Sequence, residues 1–301
     1  MNSQLKESIL PDFWLNSSAK TMITTNITSS DSKYYSFGGI IGIIDNSALN
    51  LFEMLFKTYQ LYSTQHIQNS GSLIGVIYSQ LSLVSLLNMC IEQLITTKSI
   101  FGNYGIVGFT DGSVVLDNIQ ISQNISGISS SYLGIVGVIT ANSIQSSFSN
   151  IFSIMNTYMS TTSHDAHHIS FLLALMSGKQ CQINNVVLQD SNIAIPHDTS
   201  VYITDASQTN VTIQDSIIQR CQISADYAAI ISWGYNSIFS LTNIQISFFK
   251  VFGINAKFIY NTDSSCIFKL QTSSTYGYNY INNVLQYNCP QLTNALLPQG
   301  C

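Results

Sequence analysis

The sequence predicts an all-β protein, one right-handed parallel β-helix (solenoid) of about seven or eight coils of ~28–37 residues each. Three observations carry that expectation. A repeat runs through the chain on two independent anchors, the segments inside each repeat alternate like strands, and the composition is rich in stackable residues but poor in charge.

The first anchor is a glycine after Ile or Val, at Gly42, Gly75, Gly108 and Gly137, with steps of 33, 33 and 29. The second is an Asn or Asp ahead of alternating apolar residues, at Asn88, Asn118, Asn150, Asn185, Asp215 and Asn243, with steps of 30, 32, 35, 30 and 28. The glycines fade after Gly137, but the asparagines continue, so the repeat continues with them. Between anchors, "SVVLDNIQIS", "TNVTIQDSIIQ" and "SLTNIQIS" alternate apolar with polar residues and favour strand-forming types. A propeller blade needs ~40–45 residues, and a leucine-rich repeat places its Asn differently. One β-helix coil per repeat fits the period. Each coil buries its face only against the next, and strands stack ~4.8 Å apart.

Taken in chain order, residues 1–32 read as a lead-in with a partial coil or cap. "TMITTNITSSDSKYYSFGGIIG" parallels "DNIQISQNISGISSSYLGIVG", and "ILPDFWLN" offers Phe13 and Trp14 as a lid over an end that needs cover. Residues 33–288 form the repeat domain. Glycine is expected at coil corners for its backbone freedom, and Asn for its tolerance of the left-handed region. Two stretches, "LNLFEMLFKTYQLY" and "SLLNMCIEQLITT", also suit an amphipathic helix, and that alternative stays open at this point. Asp190 lies five residues after Asn185 and Arg220 five after Asp215, so stacking predicts a ladder ion pair. In residues 289–301, Cys289 and Cys301 read as the opening of a cysteine-containing module, and a longer polypeptide is expected.

Composition narrows the job. Hydrophobic residues make up 46% and charged residues 8%, against about a quarter charged in an average domain. So much Ile, Tyr and Phe argues against disorder. The longest apolar runs, such as "ISFLLALM", are strand-sized and far short of the ~18 residues of a membrane span. Ten basic residues, unclustered, with a net charge of -5, argue against nucleic acid or anionic lipid as partner. The six cysteines lack metal-ligand spacing, so no zinc site and no cofactor is implied; disulfides and free buried thiols both fit. Sequons at Asn16, Asn26, Asn124 and Asn210 mark possible glycosylation and point to an extracellular or cell-surface location. The first residues carry no signal-peptide pattern, which keeps a cytoplasmic alternative.

Three clusters are candidates for chemistry. "SHDAHH" supplies His164, Asp165, His167 and His168, imidazole and carboxylate ligands for a metal, although an inserted polar loop is the plainer reading. Asp205, Asp215 and Asp226, with Arg220 between them, offer the carboxylates or base of a polysaccharide hydrolase or lyase; solvent-facing turn acids are the plainer reading. Trp233, Tyr235, Tyr276, Tyr278 and Tyr280 alternate as an aromatic glycan platform would, and core packing competes as their explanation.

"GGIIGIIDNS" (38–47), "GSLIGVIYSQ" (71–80), "YGIVGFTDGS" (104–113) and "LGIVGVITANS" (133–143) resemble the GLUG-type repeat of large surface and adhesin-like proteins. The pattern as a whole is similar to the right-handed β-helices of the pectin-lyase-like superfamily. The motif resemblance covers residues 38–143; it implies a surface-exposed repeat array and no catalytic residue. The expected function is therefore non-catalytic: a rigid adhesive or structural scaffold presenting a flat face to a protein or glycan. A carbohydrate-active enzyme on the same fold is the alternative, and an intracellular repeat scaffold the second alternative.

Overall fold

Apolar residues two apart on an extended segment fall on one face, and a repeat of that segment lets equal faces stack. The computed structural model builds this arrangement. It describes residues 24–27, 36–38, 40–58, 60–63, 66–96, 100–126, 129–140, 142–158, 167–194, 199–206, 208–225, 227–233, 237–261, 267–270, 275–277, 279–281 and 284–286. Within them every regular element is a β-strand. The two stretches with helical spacing are strands as well: Ala48–Phe52, Leu55–Thr58 and Gln60–Ser63 in the first, Leu83–Thr96 in the second. Tertiary stacking overrides the local periodicity here.

Most strands form two parallel sheets that face one another across the interior, and Thr24–Ile27 pairs with Gln60–Ser63 as a separate two-stranded sheet. In the first sheet His66–Tyr78 pairs with Ile100–Thr110, and the stack continues through His167–Met176 to Asn255–Asn261. In the second, Leu83–Thr96 pairs with Ser113–Ser126, which pairs in turn with Ser146–Tyr158. Later coils break the second sheet into shorter strands at its bends, as in Asn210–Gln214, Ile217–Gln219 and Gln222–Ser224. The pairings are parallel until the last, where Asn279–Ile281 meets Val284–Gln286 antiparallel. The protein is thus a parallel β-helix, as expected. About five turns are full, flanked by coils of shorter strands, slightly fewer than the seven or eight expected.

Register shows how the core is made. Leu51, Leu86, Leu116, Phe148, Ile183, Ile213 and Leu241 occupy one inward row across successive coils, and all are buried. Met89, Ile119, Ile151 and Val186 form the next row. Each fully buried aliphatic side chain contributes roughly 1.5–3 kcal/mol by leaving water, so a row of seven is a large cooperative term. Along Gln180–Gln189 the alternation of buried and exposed residues reverses phase at Asn184 and Asn185, where the chain bends.

The two anchors have different causes. The Asn/Asp anchor is conformational, as expected: Asn88, Asn118, Asn150, Asn185, Asp215 and Asn243 all have φ between 51° and 54°. Each places one left-handed residue at the same bend, a conformation Asn and Asp adopt more readily than other non-glycine residues. The glycine anchor is not at a corner, which corrects the expectation. Gly42, Gly75, Gly108 and Gly137 lie within strands of the first sheet. For Gly108 and Gly137 the reason is close approach: a Cβ on Gly108 would sit 2.5 Å from the Ser70 carbonyl oxygen, and one on Gly137 2.5 Å from that of Gly108.

Candidate functional site: the outer face of the second sheet and its asparagine border

The left-handed bend turns the backbone without breaking the stack. At the first corner the Glu53 N–H donates to Leu87 O at 3.0 Å and the Cys90 N–H to Met54 O at 2.9 Å. At a later coil the Asp215 N–H donates to Thr242 O at 3.1 Å. Corner side chains stand outside and bond along the rod axis. Asn118 Nδ2 donates to Asn88 Oδ1 at 2.8 Å, Asn150 Nδ2 to Asp117 Oδ1 at 2.7 Å, and Asn185 Nδ2 to Asn150 Oδ1 at 2.7 Å. Asn243 Nδ2 donates to Asp215 Oδ1 at 2.7 Å. An amide carries both donor and acceptor, so each rung can pass the bond on.

Glu53 begins this border one coil ahead of Asn88, with φ 54°. The second anchor missed it because Glu replaces Asn; its spacing of 35 residues from Asn88 was the available signal. Asp117 was missed likewise. It precedes Asn118 and takes the bond that strict stacking would give to Asn118.

Beside the border lies the outer face. One outward row holds Ser85, Val115, Ser147, Gln182, Thr212 and Ser240; the next holds Leu87, Asp117, Ser149, Asn184, Gln214 and Thr242. Nearly all are half-buried by their neighbours, as expected on a flat sheet of short side chains. Asp117 is the sole charge in the two rows, and it is bonded to Asn150. Five steps of ~4.8 Å give a face ~24 Å long. Hydroxyls and amides on it both donate and accept, a chemistry suited to other neutral polar groups.

A second corner carries the expected ion pair. Asp190 and Arg220 have φ 51° and 53°, and Arg220 reaches Asp190 through Nε–Oδ1 at 2.6 Å and Nη2–Oδ2 at 2.9 Å. This bidentate hydrogen bond to Arg220 holds the exposed Asp190 carboxyl below the usual range and raises the guanidinium in return. The next coil places Phe248 there, also left-handed at φ 55° and half exposed.

The other candidate residues are placed as follows. Asp215 stands on the first corner with its carboxylate bonded to Asn243, while Arg220 is committed to Asp190 on the second. The backbone puts Asp205 in Thr199–Ala206, on the opposite sheet; Asp226 lies outside the described residues. His167 and His168 begin a strand of the first sheet in register with Thr199 and Ser200, while His164 and Asp165 lie outside the described residues. Among the described residues no three His, Cys, Asp or Glu group as metal ligands. Trp233 ends a strand in register with Asn261. Tyr276 is in register with Ile246, and Tyr280 with Lys250. Tyr235 and Tyr278 lie outside the described residues, as do Asn16, Phe13, Trp14, Cys289 and Cys301. Asn26 is in a strand in register with Tyr62. Asn124 and Asn210 are exposed on the second sheet.

Of the cysteines, Cys181 and Cys221 are buried free thiols. Burial pushes the Cys221 thiol up to about 11, and Cys181 higher still. Such thiols act as small apolar side chains. Among the described residues no helix is long and apolar enough to cross a membrane. Compared with protein-family models, curated proteins and solved structures, the chain matches none.

Proposed function

We propose that this protein is a non-catalytic scaffold rod of adhesin-like, GLUG-related type. In this reading it is displayed at the cell surface and binds a protein or glycan through the outer face of the second sheet. The observation that supports the reading most is that face itself: two registered rows over six coils in which all residues but Val115, Leu87 and Asp117 are Ser, Thr, Asn or Gln, and the one charge is already bonded. A flat, neutral, hydrogen-bonding surface on a stiff support loses little side-chain entropy when it binds, so modest contacts per coil accumulate. Two of the side chains that could drive acid–base chemistry are engaged elsewhere: Asp215 belongs to the corner ladder and Arg220 to an ion pair.

The test is binding of the purified chain to an array of neutral and acidic glycans and to cell-surface extracts, beside Ser147→Arg and Thr212→Arg variants. Binding by the wild-type chain that both variants lose, with unchanged circular dichroism, is the expected result. Binding that survives both substitutions moves the contact off this face. Release of reducing ends or unsaturated uronates from a bound polymer overturns the non-catalytic reading in favour of a carbohydrate-active enzyme. Brief protease treatment of intact cells tests location: released peptides from 33–288 support the surface, and a protected cytosolic chain overturns it.

A further inference from the structure

The interior of the rod is aliphatic along most rows, but one inward row carries two amides. Gln93 and Gln123 are in register on successive coils of the second sheet and are each about 1% exposed. Gln93 Nε2 donates across the interior to Ser72 Oγ on the first sheet, and Gln123 Nε2 donates to Gln93 Oε1 at 2.7 Å. Gln93 thus spends an N–H across its own coil, and Gln123 spends one on the previous coil, which leaves Gln123 Oε1 as the acceptor at this end of the pair.

On that following coil the row does not continue. The position in register with Gln123 is Met155, which has no N–H or O–H to offer. Two residues before it, Ser153 interrupts another row. Its register partner on the previous coil is Ile121, and on the next Leu188, both buried. Ser153 is itself 1% exposed. Neither Gln123 Oε1 nor Ser153 Oγ has a hydrogen-bond partner. Diagonal neighbours of this kind on adjacent strands lie roughly 7–8 Å apart at Cα, within reach of a long side chain.

A buried polar atom without a partner costs about as much as a lost hydrogen bond or more. Two such atoms on adjacent coils, facing the same interior, share one solution. We propose that the interior holds an ordered water molecule at this level, which donates to Gln123 Oε1 and exchanges a hydrogen bond with Ser153 Oγ. Water suits the pair because the amide oxygen can only accept while the hydroxyl can do either, and two to four polar partners suffice to hold a buried water. The water ends the amide ladder at the coil where the sequence has Met155 in register and not a third glutamine.

A high-resolution crystal structure of the wild-type chain tests this directly. A density peak within ~2.6–3.2 Å of both Gln123 Oε1 and Ser153 Oγ is expected; a dry interior at that level overturns the proposal. A Ser153→Ala variant gives an independent sign. If water bridges the two groups, removing the hydroxyl strips one anchor and lowers the thermal midpoint by about 2–4 °C. If the hydroxyl stands dry and unpaired, its removal relieves a buried polar penalty, and the midpoint stays or rises. That outcome also overturns the proposal.

Discussion

Asn150 sits in the middle of the corner border, and substituting it separates the two reasons for its presence. Its φ is 53°, its Nδ2 donates to Asp117 Oδ1 at 2.7 Å, and its Oδ1 accepts from Asn185 at 2.7 Å. Both bonds are exposed, so each is worth about 0.5 kcal/mol net, the low end for a hydrogen bond. Asn150→Gly loses both bonds but keeps easy access to the left-handed region, and about 1 kcal/mol of lost stability is expected. Asn150→Val loses the same bonds and adds the left-handed penalty of a β-branched residue, ~1–2 kcal/mol more. The sum is about 2–3 kcal/mol, or about 5–10 °C in thermal midpoint. Ser149→Val is the control: one residue earlier, in the extended strand Ser146–Tyr158, it should move stability by no more than ~0.5 kcal/mol. The assay is thermal unfolding followed by far-ultraviolet circular dichroism, with denaturant titration as a cross-check. A Val variant no less stable than the Gly variant would refute the claim that left-handed geometry selects Asn at this corner.

Three further outcomes follow from the same geometry. Gly137→Ala forces a Cβ to within 2.5 Å of the Gly108 carbonyl oxygen; neither backbone can yield, and a loss of about 1–3 kcal/mol in denaturant unfolding is expected. Asp190 titrates below its ordinary range because Arg220 donates to it, so its folded pKa is depressed. Its stabilising contribution is present above the unfolded value and lost as pH falls through the folded one. Wild type should therefore exceed Asp190→Asn in thermal midpoint at neutral pH by a small, salt-sensitive margin that vanishes in strong acid; a margin that persists there contradicts the assignment. With a thiol raised to about 11, Cys221 is thiolate at pH 8 in only about one part in a thousand. Alkylation followed by mass spectrometry should label Cys181 and Cys221 only after denaturation.

Much of this architecture was legible because stacking writes the same demand into every coil. An Asn or Asp at each bend and an aliphatic residue two places inward recur at a fixed period, so Asn88 through Asn243 announced their left-handed corner before any coordinate was known. The Asp190–Arg220 pair was legible for the same reason: five residues past equivalent anchors must be neighbours if coils stack. Where the repeat changed residue type, it became invisible, and Glu53 occupies a corner that only its spacing betrays.

The sequence by itself determined the repeat, the sheet-forming pattern, the corner residues and the charge-poor surface, since each depends on local period and residue type. Only the tertiary structure decided what depends on which backbones meet. Gly108 and Gly137 proved to be places of close strand approach and not corners, because the Ser70 and Gly108 carbonyls come from neighbouring coils. Asn150 bonds to Asp117 and not to Asn118, and the buried amides stop at Gln123 because the residue in register on the next coil is Met155. These facts belong to register, and register is set by the cooperative fit of whole buried rows, which no single repeat contains.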